Sequence, residues 1–182
     1  MIKSVLAIVG ALTLALPVQA SSISSHYPIL TSLNRKGVRL EINPKDCNPY
    51  LDGFYHHVMG VTRIGICQDL GKPGGPEVRW TNNDLDTLRH ESFHLVQDCI
   101  VDGEMNMALH PFFDGNGPGP ATINIDKVID ELGADKAFNI WEKYARKGAG
   151  AEEIIMEIEA FSVARYVAPG DIAAMINKFC KR

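Results

Sequence analysis

At 182 residues with 46% apolar and 22% charged side chains, the chain fits one globular domain with its own core, and it lacks the composition of a disordered or fibrous protein. Its 18 Lys and Arg against 22 Asp and Glu give a net charge of −4, with no basic run anywhere in the sequence. That balance argues against nucleic acid or an anionic membrane surface as the partner.

The chain opens with Lys3, an apolar run from Val5 to Leu16, and Pro17-Val18-Gln19-Ala20 ahead of Ser21-Ser22. This is the layout of a secretory signal peptide over residues 1–20, cleaved after Ala20. The competing reading is an uncleaved N-terminal anchor, but the run is short for a membrane span and no stop-transfer segment follows. No stable membrane insertion is therefore expected after cleavage, and the destination is secreted or periplasmic. Losing Lys3 and no acid moves the net charge from −4 to −5. Residues 21–36 are Ser-rich and polar and read as a flexible N-terminal segment, leaving a single domain over 37–182.

Val38 to Ile42 alternates with period two and predicts a strand, broken by Asn43-Pro44. Gly53-Phe54-Tyr55 is a short second strand, Val61 to Cys67 a third, and Glu77 to Trp80 a candidate fourth. Together they make a small antiparallel sheet. From Thr81 the pattern turns helical: Asn82 or Asn83 can cap a helix from Asp84 to about Val101, with Asp84 and Asp86 complementing its macrodipole. A loop over 103–121, rich in Gly, Pro, Met and aromatics, reads as a functional connection. Helices are expected over 123–132, 134–147, 151–167 and 171–180. The fold class is α+β, with the sheet followed by one conspicuous helix and a C-terminal helical region.

Four cysteines, Cys47, Cys67, Cys99 and Cys180, form an even set without a CxxC spacing, which in an exported chain favours two disulfides over a metal site. Three connectivities are possible. The favoured one joins Cys47 to Cys67 across a local hairpin, and Cys99 to Cys180 to tie the conspicuous helix to the C-terminal one.

That helix carries His90-Glu91-Ser92-Phe93-His94. Residues four apart lie one turn apart on the same helical face, so two imidazoles can reach one metal ion without distorting the backbone. Glu91 points about 100° away, near the ion without needing to bind it. This arrangement suits zinc, with a carboxylate placed to take a proton from water. Leu85, Leu88, Leu95, Val96 and Cys99 line one side of the helix, and His90, His94, Gln97 and Val101 the other.

A strand, a helix bearing His-Glu-x-x-His, and further helices resemble the zincin metallopeptidases. The resemblance is specific over Arg89 to Asp98 and architectural elsewhere. It implies that His90 and His94 are zinc ligands and Glu91 the general base of a secreted peptidase acting on peptides or proteins. Val61–Cys67 would resemble the sheet-edge strand on which that family aligns an extended substrate. Cys47, Phe54-Tyr55 and Ile64-Gly65-Ile66-Cys67 are also similar to uncharacterised secreted bacterial metallopeptidases.

A catalytic zinc needs a third protein ligand. The metzincin pattern would put a His at position 100, which is Ile100, and no clear thermolysin-like Glu-x-x-x-Asp helix follows. Glu157-Ile158-Glu159-Ala160-Phe161 resembles the Glu-Ala segment that gives the third ligand in gluzincin-like families. Glu159, projecting among Ser162 and Val163, is costly on an apolar face unless paired or on a metal, so it is the expected ligand. Glu157, His110, Asp114 and Glu131 could take that place instead, and a buried pair with Arg89 is the competing role for Glu159. His56-His57 lie on opposite strand faces and make a poor chelating pair. Gln97 could orient a ligand, and Tyr55, His110 or Tyr166 could hydrogen-bond a developing oxyanion. A different class of function also fits: a secreted, disulfide-stabilised binding protein with a structural or inactive zinc site.

Overall fold

The computed structural model describes residues 22–112 and 130–181. The expected signal peptide, Asp114 and most of the expected 123–132 helix lie outside those residues, although 130–132 are helical.

The N-terminal segment is not a flexible lead. A 3-10 turn, Ile23–His26, runs into helix α1, Tyr27–Arg35. Ile29 and Leu33 are four residues apart on one face and both fully buried, which anchors α1 in the core despite its Ser-rich approach.

Strands β1 (Arg39–Ile42), β2 (Gly53–Val58) and β3 (Val61–Ile66) form a mixed sheet rather than an antiparallel one. Their order is β1-β3-β2, with β1 parallel and β2 antiparallel to β3. Thus β3, expected at the edge, is the central strand. Its buried run Ile64-Gly65-Ile66 is the mark of a strand covered on both faces and paired on both sides. The β2–β3 turn is Met59-Gly60, both at positive φ (52° and 77°), as a two-residue hairpin requires. The fourth strand expected over 77–80 does not form. The Gln68 side chain takes its place, accepting from Val78 N at 2.8 Å and donating to Val78 O at 3.0 Å.

Helix α2 is Asn82–Cys99, capped by Thr81 rather than by Asn82 or Asn83. Thr81 Oγ1 accepts from Asp84 N (3.1 Å) while Thr81 N donates to Asp84 Oδ2 (2.7 Å), a reciprocal capping box that satisfies two otherwise orphaned donors. Helices α3 (Ala134–Ala145), α4 (Ala151–Tyr166) and α5 (Pro169–Phe179) follow. The α2 helix lies at the centre, packed on the sheet at one side and on α4 and α5 at the other, while α3 rests on α4. Leu88, Phe93, Leu95 and Val96 of α2 are fully buried.

Two disulfides form, Cys47–Cys67 and Cys99–Cys180, the pairing expected from the sequence. The first closes the β1–β2 loop onto the end of β3. The second fastens the end of α2 to the C-terminus, where Lys181 N also donates to Gly103 O (2.9 Å). Two bridges suit an oxidising compartment. Among the described residues, no helix is long and apolar enough to cross a membrane.

Candidate metal centre

Most of α2 is buried, polar residues included. His90 and His94 are 8% and 7% exposed, and their Nε2 atoms face each other at 3.0 Å, with ring planes 86° apart. Two imidazole nitrogens do not converge so closely without a proton or a cation between them. The carboxylate of Glu157, from α4, straddles the pair: Oε2 lies 3.3 Å from His90 Nε2, and Oε1 3.5 Å from His94 Nε2. Donors set tetrahedrally about 2.0–2.1 Å from zinc would stand about 3.3–3.4 Å apart. The spacings match that requirement, and these three residues form a group that could hold a metal ion.

The third member is therefore Glu157, and the expectation of Glu159 is corrected. Glu159 is fully buried, as its apolar setting predicted, but it turns to the other side of α4. Its Oε2 accepts from Gln97 Nε2 (2.8 Å) and from Phe112 N (2.9 Å). It does not pair with Arg89, which binds Asp86. His110 is placed by its backbone, donating to Gln97 O (3.0 Å), and Glu131 is exposed, so neither belongs to the group.

Gln97 gives Glu159 its significance. The Gln97 amide nitrogen donates to Glu159 and to Met156 O (3.0 Å), so its oxygen is the atom that faces His94 Nδ1 at 2.7 Å. An oxygen there can only accept, so Nδ1 carries a hydrogen, and it is Nε2, facing Glu157 and His90, that exposes a lone pair when the ring gives up its second proton. The chain Glu159–Gln97–His94 thus fixes a tautomer suited to metal ligation. His90 is steadied differently, by the Phe161 ring, whose centroid is 4.5 Å from its own.

Charge follows from this packing. Burial by itself would lower His94, but the Glu157 hydrogen bond and the Glu91 and Glu157 charges outweigh it and push His94 up to about 9. Burial likewise works against ionised Glu157, yet its contacts with both imidazoles hold it well below the usual carboxylate range. Glu91 stands outside the ligand group. It is buried, which raises its pKa against the pull of His90 and His94, and it accepts a hydrogen bond from the Tyr55 backbone N–H on β2. Gly53 permits that approach, because a Cβ there would lie 2.5 Å from Thr87 Cγ2 and 2.8 Å from Gly65 O.

One further group went unrecognised in the sequence. Tyr144, on α3, lies beside the Glu157 carboxylate, and burial with the nearby negative charge keeps its hydroxyl protonated. The tyrosines singled out by sequence are elsewhere: Tyr55 gives its hydroxyl to Asp98, and Tyr166 is exposed. The signal for Tyr144 was faint, its place on the apolar stripe Ala137, Ile140, Tyr144. His57 bonds Thr62 Oγ1 at 2.8 Å and His56 is exposed, so neither joins the centre. A cleft of about 450 Å³ opens over His90 and Glu91, between β2 and α2 on one side and α3 on the other.

No known protein family, curated protein or solved structure matches the chain.

Proposed function

We propose that the protein is a secreted zinc-dependent metallopeptidase, hydrolysing peptide bonds with Glu91 as general base. The observation that carries this reading is the division of labour around His90. Three nitrogen and oxygen donors converge, while a second buried carboxylate, Glu91, stands beside them, outside the convergence and open with His90 to the cleft. Two His and one carboxylate are a donor set that catalytic zinc uses, with a coordination position left for chemistry.

His90, His94 and Glu157 would hold the zinc. A bound zinc supplies Lewis acidity, bringing the pKa of water to about 7 and polarising a carbonyl. Glu91 takes the proton of the attacking water and delivers it to the leaving amine. The Tyr55 N–H fixes the direction of that carboxylate, and its raised affinity for a proton suits it to take one from water. Tyr144, a neutral hydroxyl beside Glu157, lines the cleft where the substrate would lie. Gln97 and Glu159 act at one remove, as positioning residues for His94.

The low exposure of both histidines favours a second reading, a disulfide-stabilised binding protein with a structural or inactive zinc site. Metal analysis and peptide turnover on the same preparations decide between them. One zinc per chain in both wild type and Glu91→Gln, with hydrolysis lost only in the variant, supports the peptidase. Zinc retention with no hydrolysis by either supports the binding protein, and no zinc after loading overturns both.

A further inference from the structure

The cleft is asymmetric in charge, and the asymmetry concerns what it would accept. Lys136, Lys143 and Lys147 fall seven and four residues apart on α3 and the turn that follows it. At about 100° per residue they form one stripe. All three line the cleft, joined by Arg165 from the last turn of α4. None of the four is ion-paired among the described residues, although the chain as a whole carries a net charge of −4. Four cations lining one cleft leave a wall of positive charge in an acidic protein.

Two details tie the stripe to the metal centre. The Lys143 ammonium sits over the Phe161 ring, 5.9 Å from its centroid, and Phe161 is the ring packed on His90. Lys147 sits over Tyr144, 5.2 Å from its centroid, and Tyr144 lies beside Glu157. The acids that line the cleft come from the facing side. Asp86 is paired with Arg89, and Glu91 is engaged by the Tyr55 N–H, which leaves Asp52 to oppose four cations.

We infer that the cleft selects peptides bearing Asp or Glu side chains, with the α3 stripe and Arg165 as the specificity determinants. This rests on the peptidase reading of the same site. A wall of one sign beside a low-dielectric cleft concentrates ligands of the opposite sign and rejects those of its own. The selected carboxylates lie toward α3, across the cleft from β2.

The test uses zinc-loaded Glu91→Gln protein and three fluorescent peptides of equal length. Both ends are blocked so that no terminal charge contributes, and the variable residues are Asp and Glu, Ser and Gln, or Lys. Anisotropy should show the acidic peptide binding about tenfold more tightly than the neutral one, an advantage that shrinks as salt is raised. Adding Lys147→Glu and Arg165→Glu, both exposed positions, should abolish the preference without changing the thermal midpoint. Equal binding of the three peptides, no binding of any, or a preference untouched by the reversals would overturn the inference. Turnover by the wild type separates the two claims. Cleavage with no acidic preference overturns this inference and leaves the peptidase standing. Acidic-peptide binding that the reversals abolish, without any cleavage, supports the inference and overturns the peptidase.

Discussion

Glu157 and Glu159 stand two residues apart on one helix, so about 200° separates them, and each meets a different neighbour. Their substitution should separate the two roles. Glu157→Ala should abolish stoichiometric zinc binding. Glu159→Ala should keep the site and weaken it by about 10- to 100-fold, the usual cost of losing a group that orients a ligand. Competition with a chromophoric chelator measures both. The sequence made His90, Glu91 and His94 legible because their relation is local: one helix and one spacing. It could not rank the glutamates, because a helical wheel gives the angle between two side chains and says nothing about what lies in each direction. The same residues set a pH dependence. In the metal-free protein His94 is pushed up to about 9, so at pH 7 it carries a proton that zinc must displace. Calorimetry in buffers of different ionisation heat should find about one proton released per zinc at pH 7. Apparent affinity should rise with pH up to about 9 and level off above it.

At the scale of elements, the close approach of β2 to α2 decides whether Glu91 is correctly held. A Cβ at Gly53 would meet Thr87 and the Gly65 carbonyl, and Glu91 Cγ at 3.2 Å. Gly53→Ala should therefore push β2 outward and destabilise the fold by about 1–3 kcal/mol, readable in chemical denaturation. It should lower turnover more than it lowers zinc affinity, because the strand holds the base and not the ligands. The individual strands and the α2 helix were legible from periodicity, their order was not. Alternation tells which face of a strand is buried, whereas the parallel pairing of β1 with β3 depends on a loop that returns the chain. Helix α1 was hidden because its short apolar face, Ile29 and Leu33, is carried by a segment otherwise Ser-rich and polar.

Across the whole molecule, the chain relies on cross-links as well as on its core. Closing loops with sequence separations of 81 and 20 removes unfolded-state entropy worth about 4.5 kcal/mol for Cys99–Cys180 and about 3.3 kcal/mol for Cys47–Cys67. Reduction should lower the thermal midpoint more through loss of the longer ring, which Cys99→Ser with Cys180→Ser isolates. A second global effect comes from His26. Burial, helped by the Arg89 charge, lowers its pKa below the ordinary 6.5. Below pH 6.5 the unfolded chain takes up a proton that the folded His26 resists, so stability should fall as the pH drops. The midpoint of zinc-loaded protein should be lower at pH 5 than at pH 7, with a shallower slope in His26→Gln. Neither the cleft nor its basic wall could be read from sequence. Lys136, Lys143 and Lys147 share a face of α3 and the turn after it by their spacing, but only the packing of α3 on α4 brings Arg165 beside them and makes a wall.

Helix α2 is fastened at one end by the Thr81–Asp84 capping box and at the other by Cys99–Cys180, and neither fastening uses the metal ligands. In the proposed peptidase that separation would permit an order of maturation: thiol oxidation would complete the scaffold first, and the ion would be acquired afterwards by a chain already rigid enough to receive it. Such a protein would stay inert in a zinc-poor compartment and become competent only where the ion is available.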